Sequence, residues 1–101
     1  MEIFFYYIRK NNVKSIKKLI ASGIDVNIQN DGGNTALILA SIRNNSELVK
    51  LLIDAGADVN IQNKHKRLAV DYYIGDKKIF DPIYIKLKKR EKNLSKILKF
   101  I

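Results

Sequence analysis

The chain has 101 residues, of which 47% are hydrophobic, and this suits one small folded domain. It contains no cysteine and one histidine, which excludes disulfides, thiolate chemistry and metal sites built from cysteines or several histidines. The formal net charge is +9, and the twelve Lys and Arg against four Asp and Glu in residues 64–101 supply +8 of it. Such a basic end favours an acidic protein surface, a nucleic-acid backbone or an anionic membrane as its partner.

The N-terminal residues 1–8 form a short apolar run that precedes Arg9 and Lys10. A secretory signal places its positive charge first, and a membrane span needs about 20 apolar residues. We therefore expect neither a signal peptide nor a transmembrane segment, and a cytoplasmic location by default.

Residues 23–30, GIDVNIQN, return as residues 56–63, GADVNIQN, after a displacement of 33 positions. Self-similarity at this period indicates a stacked repeat. In the same phase Phe4 corresponds to Leu37, which predicts a first helix over residues 3–10 although local propensity there favours a strand. A second helix follows over residues 13–22.

The aromatic side chains of the first helix allow two interpretations. They cover the first interface of a short stack, or Phe5 and Tyr6 leave an apolar edge that supports weak self-association with another chain. Terminal repeats need a polar outer face for solubility, so an aromatic first helix is unusual at the end of a stack.

Residues 30–62 carry the complete unit. Thr35 can cap a short apolar helix, and Asn44 and Asn45 form a reversal because asparagine tolerates the left-handed conformation. Ser46 begins a second helix with an apolar stripe at helical spacing, and Gly56 ends it. The loops between helix pairs carry turn residues, which predicts extended fingers with a tight bend at the tip.

This unit resembles an ankyrin repeat. Residues 35–40, TALILA, follow the family pattern T-P-L-H-x-A, with Ala36 in place of proline and Ile38 in place of histidine. Residues 47–52 and 56–60 lie close to the family consensus. The resemblance implies an all-α, ankyrin-type helical repeat solenoid of about three repeats with finger loops between helix pairs. One domain over residues 1–101 would comprise a degenerate repeat over 1–29, a full repeat over 30–62, and a degenerate repeat over 63–101 with a basic capping helix.

The C-terminal part departs from the repeat. A first helix is predicted from about Leu68 to Ile74, although Leu68 replaces the capping threonine, and Gly75 then breaks the chain. Asp81 and Pro82 predict the start of a long, lysine-rich closing helix. A break in it near Asn93 is the alternative. We expect one apolar stripe of this helix to cover the open end of the stack; its members are Ile83, Tyr84, Leu87, Leu94, Ile97, Leu98 and Ile101.

Catalysis finds little support in the sequence. The single histidine, His65, lies in a predicted finger, and the carboxylates are scattered, so neither a nucleophile with its base nor an acid–base pair can be assembled. We predict that the protein is not an enzyme and that it uses no cofactor and no metal.

The resemblance instead implies a non-catalytic protein–protein interaction module that contacts its partner through finger tips and first helices. The partner would be a protein, and an acidic one at the C-terminal end, where these positions become positive. The corresponding residues are Arg9, Lys10, Asp31, Gly32, Asn34, Ile42, Arg43, Lys64, His65 and Arg67.

An alternative function uses the lysine-rich closing helix as a basic module for nucleic acid or an anionic membrane. No aromatic-interleaved nucleic-acid motif accompanies these lysines, which weakens this hypothesis. The polyanion-binding residues would be Lys86, Lys88, Lys89, Arg90 and Lys92.

Overall fold

The computed structural model describes residues 2–98, except for the side chains of Ser95 and Ile97. Within this range the chain forms six α-helices, one short 3₁₀ helix over Lys77–Phe80, and no β-strand. The prediction of an all-α fold is therefore confirmed. The α-helices are α1 (Glu2–Arg9), α2 (Val13–Ala21), α3 (Ala36–Ile42), α4 (Ser46–Asp54), α5 (Ala69–Tyr72) and α6 (Pro82–Leu98).

The helices are arranged in two rows. α1, α3 and α5 lie side by side, and α2 and α4 each pack against the first helix of their own pair. The core lies between the rows, where apolar side chains are almost completely buried. Its largest buried members are Phe4, Ile8, Ile16, Leu37, Ile38, Leu48, Val49 and Leu52.

The first two helix pairs share their local geometry. α2 and α4 each have nine residues and are displaced by 33 positions. Asn11 and Asn44, which precede them at the same displacement, both adopt φ 52°, so the predicted reversal is confirmed at Asn44. Gly56 follows α4 with φ 91°, in the left-handed region that favours glycine at the end of a helix.

Thr35 caps α3 as predicted. Its Oγ1 accepts a hydrogen bond from the backbone N–H of Ile38 at 3.2 Å, and the side chain is 2% exposed. Because water cannot reach this site, the hydroxyl is what satisfies that amide of the first turn.

The third helix pair differs from the other two. α5 has only four residues and ends at Tyr72, before the predicted end at Ile74. Leu68 provides no side-chain cap; instead, its backbone N–H donates to Asp71 Oδ2 at 2.8 Å. Tyr73 leaves the helix in an extended conformation, and its ring packs at 5.5 Å, edge to face, against Phe80 of the 3₁₀ helix.

α6 begins at Pro82 as predicted, and Asp81 Oδ1 accepts a hydrogen bond from the N–H of Ile83 at 2.8 Å. The helix continues through Asn93 without a break, and Lys92 Nζ lies 2.8 Å from Asp54 Oδ2 of α4. None of the helices within residues 2–98 is long and apolar enough to cross a membrane.

The predicted covering stripe of α6 was wrong in its main members. Tyr84 and Ile85 pack against the core, whereas the four other aliphatic side chains of the helix that the structure describes point into solvent. The side chain of Ile97 and all of Ile101 lie outside the described residues. The cause is the rotation of the helix: Ile85 and Lys92, which face α4, lie on the opposite side from the stripe at 3.6 residues per turn. The exposed members are Ile83, Leu87, Leu94 and Leu98.

We expect Thr35→Val to lower the free energy of unfolding by about 1 kcal/mol, because it leaves the Ile38 amide without its hydrogen bond in a buried site. Urea denaturation followed by circular dichroism measures the change. Thr35→Ser keeps the hydroxyl and is the control; equal losses from both variants would show that packing, rather than the cap, is what the threonine contributes.

Candidate functional site

The two fingers have the same hydrogen-bonded tip. The first finger comprises residues 22–35 and the second finger residues 55–68. In the first, Asn30 N–H donates to the carbonyl of Asn34 at 2.9 Å; in the second, Asn63 N–H donates to that of Arg67 at 3.0 Å. Each asparagine side chain also accepts two backbone N–H bonds across the bend. The predicted tight bend is present in both fingers.

A set of hydrogen bonds joins the fingers to each other. Lys64 N–H donates to the carbonyl of Gly32 at 3.1 Å, and Gln29 Nε2 donates to that of Gln62 at 3.1 Å. Gly33 holds φ 75°, and a Cβ there would lie 2.8 Å from the Lys64 nitrogen, so glycine is what permits this close approach. The fingers therefore present one continuous surface.

Asn63 lies at the centre of this link and is 6% exposed. Its Nδ2 donates to Asn34 Oδ1 and to the hydroxyl of Tyr72, both at 2.9 Å. Its Oδ1 accepts from the N–H groups of His65 and Arg67 at 2.9 and 3.1 Å. One side chain thus connects the second finger to the first finger and to α5.

A groove of about 440 Å³ lies between α1 and the first finger. Arg9 and Asp31, both predicted as partner contacts, line it and are exposed. Of the two interpretations of the first helix, the exposed apolar edge does not hold at Phe5, which is 7% exposed and lines the groove, whereas Tyr6 is exposed. The remaining lining residues are Glu2, Ile28, Gln29 and Asn30.

The other predicted contact residues are exposed, part of the hydrogen-bonded frame, or both. Lys10 and Ile42 are exposed at the ends of first helices, and Lys64, His65 and Arg67 are exposed on the second finger. Gly32, Asn34 and Arg43 also make hydrogen bonds that hold the structure together, as do the backbones of Lys64 and Arg67.

Arg43 follows α3 and fastens it to α1. Its Nη1 donates to the carbonyls of Ile8 and Arg9 at 3.2 and 2.7 Å, so the guanidinium occupies acceptors at the C-terminal end of the neighbouring helix. The same placement is favoured by the negative end of the helix dipole. This contact gives Arg43 a structural role in joining the first two pairs.

Sequence reasoning missed the groove floor and the two asparagines at the finger tips. Asn30 and Asn63 are separated by the repeat period of 33 residues. This signal in the sequence could have predicted that they have the same role. Phe5 and Ile28 gave no comparable signal, because an apolar side chain can cover either the core or a neighbouring loop.

The charge on the second finger is positive. Residues 64–67, KHKR, carry no acidic side chain, and all four are exposed. Lys66 holds φ 58° at the position that corresponds to Gly33, which places its side chain at the bend.

The five basic residues predicted for polyanion binding are exposed on α6. Two are engaged with carboxylates: Lys92 with Asp54, and Lys88 Nζ with Glu91 Oε2 at 3.2 Å. The hydrogen bond that Lys88 Nζ donates to the Glu91 carboxylate raises the pKa of Lys88 above its usual value. A second groove, of about 230 Å³, separates α6 from α4 and has Ile53, Ile79, Tyr84 and Ile85 among its lining residues.

Within residues 2–98 no three His, Cys, Asp or Glu side chains lie close enough together to hold a metal ion. His65 is exposed at the tip of the second finger, and its backbone N–H donates to Asn63. The exposed side chains of the two fingers carry charges of both signs and are held on a hydrogen-bonded frame.

Helix pairs stacked side by side, with a finger between successive pairs, define the class of helical-repeat solenoid proteins. The family model described as "Ankyrin repeats (many copies)" matches residues 19–72. The chain belongs to the ankyrin repeat family, whose members are generally non-catalytic protein–protein interaction modules.

The chain is also similar to the crystal structure of EF0377, an ankyrin repeat protein, with 38% sequence identity and a TM-score of 0.61. The match covers 65% of this chain and 36% of that one, so the chain matches about a third of the length of EF0377. No curated protein matches the sequence significantly.

Asn63→Ala should lower the free energy of unfolding by about 2 to 4 kcal/mol, because it removes two donated and two accepted hydrogen bonds from a buried site. Urea denaturation is the measurement, and Asn60→Ala, at an exposed position of the same finger, is the matched control. A loss no larger than that of the control would contradict a linking role for Asn63.

Proposed function

We propose that the protein is a non-catalytic interaction module that binds a protein partner across its finger tips and the exposed ends of its first helices. The observation that carries this proposal is the groove between α1 and the first finger, which contains Arg9 and Asp31. Membership of the ankyrin repeat family supports the same class of function.

The chemistry of the groove suits a peptide segment with both apolar and polar groups. Phe5 and Ile28 provide an apolar floor, and Arg9, Glu2 and Asp31 provide charges of both signs at its edges. Such a concave site can bury an apolar side chain of the partner while nearby polar groups fix its orientation. Its volume of about 440 Å³ is sufficient for one or two side chains.

The second finger supplies the electrostatic part of recognition. Lys64, Lys66 and Arg67 project from its tip without an acidic neighbour among residues 64–67. An acidic patch on the partner would be attracted to this finger, and the attraction would weaken as salt rises because these charges are exposed. The partner therefore carries carboxylates near the segment that enters the groove.

The frame under this surface is already ordered. The hydrogen bonds between Lys64 and Gly32 and between Asn63 and Asn34 hold the two fingers in a fixed relation. A surface that is fixed before binding loses little conformational freedom on association, so more of the contact energy appears as affinity.

The test is affinity purification from the source cell with two variants of equal charge change. Lys64→Glu with Arg67→Glu reverses two charges on the second finger, and Lys14→Glu with Lys17→Glu reverses two exposed charges on α2. We expect the finger variant to lose the partner, with affinity for the recovered protein falling about tenfold or more, and the α2 variant to retain it. Arg43 is left unchanged because it fastens α3 to α1.

Equal loss from both variants would contradict the proposal, because it would indicate attraction to net charge alone. Recovery of the same nucleic acid or lipid with every form, released by moderate salt, would also contradict it. That result would favour binding through Lys86, Lys88, Lys89, Arg90 and Lys92. Circular dichroism of each variant establishes that the fold is retained.

A further inference from the structure

α6 exposes an apolar stripe on the face that points away from the stack. Ile83, Leu87, Leu94 and Leu98 are 53% to 69% exposed. At 3.6 residues per turn the four side chains fall within an arc of about 60°. On most protein surfaces, exposed aliphatic side chains occur singly and apart from one another. A row of several large ones therefore indicates an interaction surface.

Three residues of the stripe, together with Arg90, have the spacing of a helix-pairing seam, and Leu98 flanks this seam. Ile83, Leu87, Arg90 and Leu94 are separated by four, three and four residues, which is the a/d spacing of a heptad. The sequence continues this spacing at Ile97. An apolar row this narrow is typical of a coiled-coil seam, whereas a helix that packs on a globular core carries a wider apolar face.

The positive charge of α6 favours an acidic partner. Its basic side chains are Lys86, Lys88, Lys89, Arg90, Lys92 and Lys96, against the single acidic Glu91. Glu91 is paired with Lys88, and Asp54 of α4 is paired with Lys92, so these two carboxylates offset only part of the positive charge of the helix. A helix with a similar stripe and acidic flanks is therefore the complement of α6.

Arg90 lies within the seam, between Leu87 and Leu94. In the hydrocarbon of a membrane a charge at this place is unfavourable, and in a parallel, in-register pair of identical helices it would face its own copy. A carboxylate on a different helix, placed opposite Arg90, would form an ion pair with the guanidinium. A single polar residue in an otherwise apolar seam also sets the register of helix pairs.

We propose that α6 is one half of a two-helix pair whose other half is an acidic amphipathic helix of a different protein, with a carboxylate placed opposite Arg90. This surface faces away from the core and does not include the fingers or the groove at α1. The helix is about 25 Å long, which is enough for two heptads of contact.

The probe is a fluorescently labelled synthetic peptide of three heptads, with leucine at a and d, one glutamate at the central d position, and glutamate at e and g. Fluorescence anisotropy measures its binding to the full chain at moderate salt. The comparison peptide has the same composition in scrambled order, so its charge is equal but it has no seam. We expect the heptad peptide to bind more tightly than the scrambled one.

Leu87→Gln with Leu94→Gln removes the seam without changing charge, and we expect it to weaken binding about tenfold or more, because both leucines lose their burial in the complex. Ile74→Gln, at an aliphatic residue that is 82% exposed outside α6, should leave binding unchanged. Since both leucines are more than half exposed, circular dichroism and thermal unfolding should match the wild type.

Arg90→Glu and Lys89→Glu make the same change in charge on the same helix, but only Arg90 lies in the seam. We expect Arg90→Glu to weaken binding more. The finger variant Lys64→Glu with Arg67→Glu should bind the peptide like the wild type, so this inference and the proposed function can fail separately.

Four outcomes would overturn the proposal. Equal binding of the scrambled peptide, or equal loss from the Arg90 and Lys89 variants, would show attraction to charge alone. Sedimentation with phosphatidylserine vesicles that depends on Leu87 and Leu94 would assign the stripe to a membrane surface. A dimer in sedimentation equilibrium that the two leucine substitutions abolish would assign it to a second copy of this chain.

Discussion

The structure depends on the packing of the first helices in one row. A single helix pair cannot bury its own apolar surface, so each pair is stable only where a neighbour covers it. The α3–α4 pair has such a neighbour on both sides, α1 on one and α5 with the 3₁₀ helix on the other. Ala36, Ala40 and Ala69, all buried, are small enough to let the backbones of this row approach closely. The central pair is therefore the most completely buried part of the stack.

The sequence predicted most where local chemistry and the repeat agree. Thr35, Asn44 and Gly56 each require a particular cap or backbone conformation, and each residue type identifies it without knowledge of distant contacts. The repeat phase then placed a helix over the aromatic N-terminal segment against its strand propensity, because Phe4 corresponds to the core residue Leu37. Element type and order follow from such signals.

Contacts between repeats were harder to predict. The sequence predicts Arg43 only as a surface residue. That its guanidinium donates hydrogen bonds to the carbonyls of Ile8 and Arg9 follows from the position of α3 beside α1, which the sequence does not give. Likewise, an apolar stripe at helical spacing predicts an amphipathic helix but does not fix its rotation. In α6 the rotation is set by Tyr84, Ile85 and the pair of Lys92 with Asp54, so the stripe points outward. The predicted contact residues in the fingers remain a hypothesis about function.

The hydrogen bonds that cross between the first two pairs have a consequence for the length of such a protein. Arg43 bonds to carbonyls of Ile8 and Arg9, Asn45 to Asn11, and Asp58 to Asn27. Asn44 and Asn60 lie 33 positions after Asn11 and Asn27. Each asparagine that accepts one of these bonds therefore has an identical residue at the same position of the next repeat. If a tandem duplicate of residues 30–62 were inserted after Gln62, its donors would find the asparagine acceptors Asn44 and Asn60 on the original unit. Residues 30–62 can therefore pack against a copy of themselves. The chain can be lengthened by duplicating this segment, because the contacts between the copies repeat those already present.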